Sequence, residues 1–353
     1  MAKGKRIPGL NCSAPADKMV RLVLRTQLKA MCNLRETALD WSDPEGVHDM
    51  RVLSRRLRST VSDFRPYLRK RSLPRLKLRS IARSLGNVRD EDVALLALEE
   101  LKSKAKEHVA AGIEILMEER REKRNQSRAA LQLIIRPSLL DTFRKDYLSK
   151  LRTITVADPK RSAQPPNDQP LLFGQLGAGI IDIRLKEFIA ASHHIYFPFE
   201  IKELHELRIL AKRLRYALEL FAACWGDEMT EIAKEVAFMQ TALGELHDCD
   251  VWIESLGRRL KQMSRRNIDD EHYARSRDAA IWLLRYFSRE RMQHYRQALA
   301  RWQQWEADGL LQKLRSILAT DLFPAKAAST PSERLPDDMS PMPGTESTSA
   351  QPG

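Results

Sequence analysis

The segment VHDMRVLSRRLR at residues 47–58 is the most informative part of this sequence for its architecture. It recurs as LHELRILAKRLR at residues 204–215, so a histidine and the basic residues that follow it appear twice at a constant offset of 157. Phe64 and Phe221 match at the same offset, which extends the likeness beyond the basic residues. Ordered matches at one offset predict that the chain contains a duplicated helical unit.

A second pair of matching segments follows the first. LGNVRDEDV at residues 85–93 matches LGELHDCDV at residues 243–251. One interpretation makes Gly86 and Gly244 helix C-caps, with Asp90 and Asp248 as N-caps of the next helices. Another is that the aspartates of the first segment, Asp90 and Asp92, pair with arginines of residues 47–58 and orient them. Metal binding by the Asp-x-Asp pairs is the weakest interpretation, because capping already accounts for these residues.

Apolar residues recur every three or four positions over most of the chain, which is typical of amphipathic helices. We therefore expect an all-α fold, an internally duplicated pair of roughly four-helix bundles with pseudo-two-fold symmetry. Pro66 should kink or end the second helix. The predicted helices lie near residues 17–41, 46–71, 74–86, 88–125, 127–150, 174–196, 200–225, 227–244, 248–266, 270–306 and 308–320. The predicted domains are a flexible N-terminus at 1–16, helical-bundle repeats at 17–154 and 173–322, a linker at 155–172 and a disordered tail at 323–353.

The net charge of +13 over 353 residues points to a polyanionic partner. Most of it is local, because residues 47–89 hold thirteen Lys and Arg against two acids and form a basic patch. No stretch is apolar enough for a membrane span, and no apolar region follows the basic N-terminus as a signal peptide requires. The four cysteines include no C-x-x-C pair, which argues against a zinc site or a disulfide scaffold and favours a cytoplasmic location.

On a helical wheel, one face of each repeated segment carries four cationic or protonatable groups. The first ladder is His48, Arg51, Arg55 and Arg58, and the second ladder is His205, Arg208, Lys212 and Arg215. Like charges at this spacing repel one another, and a helix that needed only solubility would alternate its charges. Arg and Lys bind phosphate oxygens, so the duplicated ladders indicate an anion site rather than a solvated face.

The repeated His-Arg segments and the L-G-x-x-[RH]-D-x-D-V segments resemble the CHAD domain, the conserved histidine α-helical domain. The resemblance covers roughly residues 17–320 and is to the stand-alone type, which has no CYTH domain. It implies two helical bundles related by a pseudo-two-fold axis, and binding of inorganic polyphosphate, with association with polyphosphate granules. The residues that match its motifs are His48, Arg51, Arg55, Arg56, Arg58, His205, Arg208, Lys212, Arg213 and Arg215.

The leading hypothesis is a non-enzymatic, cytoplasmic, granule-associated protein that binds polyphosphate through both ladders and needs no cofactor or metal. The runner-up is a basic helical protein that binds nucleic acid, although base-reading and stacking side chains are absent from the ladder faces. The third hypothesis is a metal-dependent polyphosphate hydrolase. It is disfavoured because phosphate-binding and metalloprotease signatures are absent from the sequence.

Overall fold

A computed structural model describes residues 7–68, 73–157, 170–264 and 270–320. These residues are almost entirely helical and contain no β-strand, which confirms the expected all-α class. The helices are α1 (Ala16–Asn33), α2 (Arg35–Leu39), α3 (Pro44–Phe64), α4 (Arg75–Lys104), α5 (Glu107–Ile134), α6 (Pro137–Arg152), α7 (Phe173–Ala191), α8 (Ile201–Phe221), α9 (Asp227–Ser264), α10 (Glu271–Ala307) and α11 (Leu310–Ala319). The tail predicted at 323–353, residues 1–6 of the N-terminus and residues 158–169 of the linker lie outside the described residues.

The helix α3 has clear signals at both ends. The carboxylate of Asp43 accepts a hydrogen bond from the backbone N–H of Glu45 at 2.9 Å, and Pro44 occupies the first helical position. The helix ends at Phe64, and residues Arg65–Tyr67 form a single 3₁₀ turn around Pro66. Pro66 therefore ends the helix, as the sequence predicts.

The helices α4 and α9 run without a break through Gly86 and Gly244. The predicted boundaries near residues 86–88 and 244–248 are therefore wrong, and so is the interpretation of these glycines as C-caps. A glycine inside a helix costs about 1 kcal/mol relative to alanine, which the tertiary packing of a long helix outweighs. The next break also falls elsewhere, because α5 ends at Ile134 and Pro137 begins α6.

The main hydrophobic core takes residues from both halves of the sequence. Phe64 at the end of α3 and Phe221 at the end of α8 pack edge to face with ring centroids 6.4 Å apart, and Phe173 contacts both rings. Gly177 permits this packing, since a Cβ there would lie 2.5 Å from the Phe221 ring. The described helices all belong to one compact unit, Met1–Phe323. The division into two repeats with pseudo-two-fold symmetry stays a prediction.

A disulfide joins Cys12 to Cys224, with the two Cα atoms 5.5 Å apart. The expectation that the cysteines form no disulfide is therefore wrong. Backbone hydrogen bonds hold the same segment in place, because Ala16 N–H donates to the Leu171 carbonyl at 2.8 Å. The two cysteines are 212 residues apart, so nothing in their local sequence signals the pairing. Among the described helices, none combines the length and apolar character needed to cross a membrane.

Candidate anion-binding site

Arg55 and Arg58 of the first ladder and Lys212 of the second line one shared groove, where α3 packs against α8. We call it the central groove; its volume is about 1050 Å³. Its cationic lining residues come from α3, α4, α6 and α8 and are Arg55, Arg58, Arg75, Lys77, Arg79, Lys150, Lys212 and Arg213. The structure thus brings members of both sequence-predicted sets together in one concave surface.

Positive charges crowd one another where the ladders meet. Burial, followed by the charges of Arg55 and Arg208, lowers the pKa of Lys212 to about 8. Burial likewise lowers the pKa of Arg51 to about 10, with Arg55 as the next cause. The pKa of Arg208 is also lowered, by burial first. Buried cations that lower one another's pKa values are stabilised by an anion that replaces their lost hydration.

Several of these cations have no carboxylate partner. Five cations of the two repeated segments lie more than 4.0 Å from every acidic oxygen of the described parts of the chain. They are Arg55, Arg58, Arg208, Lys212 and Arg213. The Nε atom of Arg208 is buried without a hydrogen-bond partner, as is the Nε atom of Arg51. Buried donors are normally paired, so these two guanidinium groups retain unused hydrogen-bonding capacity.

The glycines of the second motif accommodate the ladder arginines. A Cβ atom on Gly86 would lie 3.8 Å from Arg51 Nε, and one on Gly244 would lie 3.4 Å from Arg208 Nε. An alanine at either position would meet the guanidinium at ordinary contact distance, whereas a side chain as large as leucine would compete with it for space. The L-G motif and the H-x-x-R motif are therefore two sides of one contact, which explains why both recur in the same order.

The aspartates of the second motif have two different environments. Asp90 accepts a hydrogen bond from Arg51 Nη2 at 2.8 Å, which confirms part of the pairing that the sequence left open. Asp92 is buried beside Arg124 and Arg128 instead, so it does not orient a ladder. Asp90 therefore positions a ladder arginine, whereas Asp92 pairs with arginines of α5.

Asp248 lies close enough to both ladders to interact with their charges. Loss of hydration raises the pKa of its carboxyl, which Arg208 opposes and Asp90 reinforces. The two carboxylates thus face the same cations. Among the described residues, no group of three or more His, Cys, Asp or Glu side chains is arranged to hold a metal ion.

Two of the sequence-predicted ligands are engaged in an ion-pair cluster. Glu219 lies 2.9 Å from Arg56 Nη2 and accepts a hydrogen bond from Arg215 Nε at 2.7 Å. Both guanidinium groups flank the ring of Tyr216, at 5.7 and 5.5 Å from its centroid. Arg215 also donates to Gln240 at 2.6 Å. Arg56 and Arg215 therefore hold α3 against α8, and the second ladder is one free cation shorter than expected.

The surroundings of the two ladder histidines lower the pKa values of both. Burial lowers the pKa of His48, and the charge of Arg89 lowers it further. His205 stacks on His247 with ring centroids 3.9 Å apart, and burial followed by Arg208 lowers its pKa. The pKa of His247 falls to about 4, by burial first and then by the charge of His205. His247 was missed as a site residue, although its place in the second motif was visible in the sequence.

The sequence matches the family model of the CHAD domain over residues 22–257. The structure resembles the crystal structure of the CHAD domain from the plant Ricinus communis, with a TM-score of 0.59 and 21% identity over 89% of this chain and 95% of that one. It also resembles PptA from Streptomyces chartreusis, with a TM-score of 0.58 and 16% identity over 82% of this chain and 100% of that one. No curated protein matches the sequence. On the family match and the shared fold, the chain belongs to the CHAD domain family.

Proposed function

We propose that this protein binds inorganic polyphosphate in the central groove and does so without catalysing a reaction. The observation that carries the proposal is that cations of both basic ladders meet at one groove, and that Arg55, Arg58 and Lys212 have no carboxylate partner among the described residues. The CHAD family is associated with polyphosphate binding, and its fold is present here. A flexible chain of phosphates offers many acceptor oxygens at short intervals, which suits several closely spaced cations.

The basic residues of the site have different roles in binding. Arg55, Arg208 and Lys212 bind the phosphates where the ladders meet, since the charges of Arg55 and Arg208 both act on Lys212 and none of the three has a carboxylate partner among the described residues. Arg51 reaches the chain from its contact with Asp90. His48, His205, Arg58 and Arg213 extend the contacts, whereas Arg56 and Arg215 hold the two helices together.

Titration of long-chain polyphosphate into wild type and into the triple variant Arg55→Ala/Arg208→Ala/Lys212→Ala tests this proposal. We expect at least a hundredfold loss of affinity, because charge-assisted hydrogen bonds each contribute roughly 1.5 kcal/mol or more. The control is Arg285→Ala/Arg289→Ala, which removes two exposed cations of α10 outside the central groove. Equal affinity in wild type and the triple variant would refute the assignment.

Nucleic acid is the competing polyanion, and competition separates the two ligands. The phosphodiester backbone carries similar charges, so a basic groove alone does not select between them. Tyr216, the aromatic residue of the groove, is flanked by Arg56 and Arg215. We expect duplex DNA to displace polyphosphate poorly at equal phosphate concentration. Full displacement would favour the nucleic-acid hypothesis instead.

Hydrolysis is tested by phosphate release. Phosphoryl transfer normally needs a metal or a base beside the cations, and Asp90 and Asp248 are acids that interact with ladder arginines. We expect no phosphate release from polyphosphate with Mg²⁺ or Mn²⁺. Release that is lost in Asp90→Asn or Asp248→Asn would identify an enzyme and overturn the non-enzymatic proposal.

The cellular location is also a proposal, namely the cytoplasm and the surface of polyphosphate granules. The cysteines do not favour a reducing compartment such as the cytoplasm, because Cys12 and Cys224 form a disulfide and disulfides persist in oxidising compartments. Imaging a fluorescent fusion beside a polyphosphate stain tests the granule association. Counting reactive thiols in protein extracted with a rapid alkylating agent tests the compartment, with two free cysteines expected if the disulfide forms in the cell.

A further inference from the structure

The first part of α4 carries basic residues that neither ladder includes. Arg75, Lys77 and Arg79 are exposed, and all three line the central groove beside Arg58 and Lys212. They come from the helix after α3, so they approach the groove from a different direction than the ladders. We call these three residues the α4 arm.

The arm is electrostatically continuous with the first ladder. Burial lowers the pKa of Arg58, and the next causes are the charges of Arg79, Arg55 and Arg75. Arg58 thus lies between a ladder residue and the arm, near enough to interact with both. A chain of phosphates that leaves Arg55 along Arg58 would next meet Arg79 and Arg75.

The acids of this part of the groove do not neutralise the arm. Asp63 is 4% exposed and lies 2.6 Å from Arg184, and Asp146 lies 2.9 Å from Lys150. In the described portions of the chain, Arg58 and the three arm residues form no ion pair within 4.0 Å. Adjacent cations without counter-ions repel one another, so the arm is balanced only when an anion is bound.

The second half of the chain has no equivalent arm. At the offset of 158 that relates the second pair of motifs, the arm residues correspond to Ala233, Glu235 and Ala237 of α9, and Glu235 pairs with Arg301 at 3.1 Å. Among the described residues, the basic segment that α4 adds to the central groove therefore has no counterpart on α9. A solvated surface would not require this asymmetry, whereas a directed path for a long polyanion would.

We propose that the α4 arm is a second phosphate-binding segment, which holds the part of a long polyphosphate chain that extends beyond the meeting point of the ladders. This inference rests on the proposed function and adds a dependence on chain length to it. A short polyphosphate fills the contacts at Arg55, Arg208 and Lys212 and does not reach Arg75. A long chain also binds the arm, and so it binds more tightly and with a steeper dependence on salt.

The test compares two probes, tripolyphosphate and long-chain polyphosphate, on wild type and on Arg75→Ala/Arg79→Ala. We expect affinity for the long chain to fall about tenfold at low salt, because exposed, screened contacts each contribute a few-fold. The loss for tripolyphosphate should stay within about twofold. The slope of log affinity against log salt should decrease by about 1.4 for the long chain, at roughly 0.7 for each lost contact.

The matched control is Arg285→Ala/Arg289→Ala, which removes two exposed arginines at the same four-residue spacing from α10. It should bind both probes like wild type. An arm variant that binds the long chain like wild type, or that loses both probes equally, overturns the inference and leaves the proposed function standing. A wild-type protein that binds neither probe refutes the proposed function itself. Thermal unfolding of both variants confirms that the exposed substitutions leave the fold intact.

Discussion

Replacing Lys212 by methionine should stabilise the ligand-free protein and weaken its binding of polyphosphate. Methionine keeps the unbranched apolar stem and removes the ammonium group. Burial, Arg55 and Arg208 lower the pKa of Lys212 from 10.5 to about 8. Since one pH unit corresponds to roughly 1.4 kcal/mol, holding this lysine charged in the folded state costs about 3 kcal/mol at pH 7.

The sign of the effect gives it a characteristic pH window. The folded-state pKa lies below the unfolded value, so the cost is complete below pH 8 and fades as the pH rises towards 10.5. Urea denaturation at pH 7 should therefore show the free energy of unfolding of Lys212→Met raised by up to about 3 kcal/mol. At pH 10 the difference should fall below about 1 kcal/mol.

The control for this experiment is Lys202→Met, an exposed lysine on the same helix α8. It should change the free energy of unfolding by less than about 0.5 kcal/mol at either pH. The same samples, titrated with polyphosphate, should show about tenfold weaker binding for Lys212→Met alone. If the variant is no more stable than wild type at pH 7, the charge of Lys212 does not destabilise the folded protein. If it binds polyphosphate equally well, Lys212 does not contribute to binding.

Three further outcomes follow from the site. Polyphosphate affinity should rise as the pH falls from 7.5 to 5.5, because bound phosphate raises the lowered pKa values of His205 and His247. The affinity of the variant His205→Gln/His247→Gln should depend less on pH. Glu219→Gln should remove one negative charge from beside Arg56 and Arg215, raising polyphosphate affinity about threefold while lowering the free energy of unfolding by about 1 kcal/mol, measured by titration and urea denaturation. Gly244→Leu should displace Arg208 and weaken binding about tenfold by calorimetry, with unchanged affinity contradicting the role of that contact.

The all-α class and the two ladder helices could be predicted from the sequence, because they depend on local periodicity and on single residues such as Pro66. The meeting of Arg55 with Lys212 could only be suspected, since it depends on how α3 packs against α8. The duplication predicted similar ladders, but it could not show that they differ. Glu219 has Ser62 at the matching position, and this one acid engages Arg215.

The glycines of the second motif show why local rules failed for α4 and α9. Gly86 and Gly244 have the residue type of a helix end, yet both lie inside continuous helices. Each of these glycines instead lies against a guanidinium group of another helix, Gly86 against Arg51 and Gly244 against Arg208. A contact between residues so far apart in sequence leaves no local signal, and the disulfide of Cys12 and Cys224 is hidden for the same reason.

The contact between Phe64 and Phe221 joins the ends of the two helices that carry the ladders. A polymer held by both Arg55 and Lys212 therefore acts as a reversible cross-link between the two halves of the sequence. By mass action, a ligand at a hundred times its dissociation constant adds about 2.7 kcal/mol to the free energy of unfolding. Protein loaded with polyphosphate should thus outlast free protein during heating or proteolysis, and a dense store of the polymer would protect the molecules bound to it.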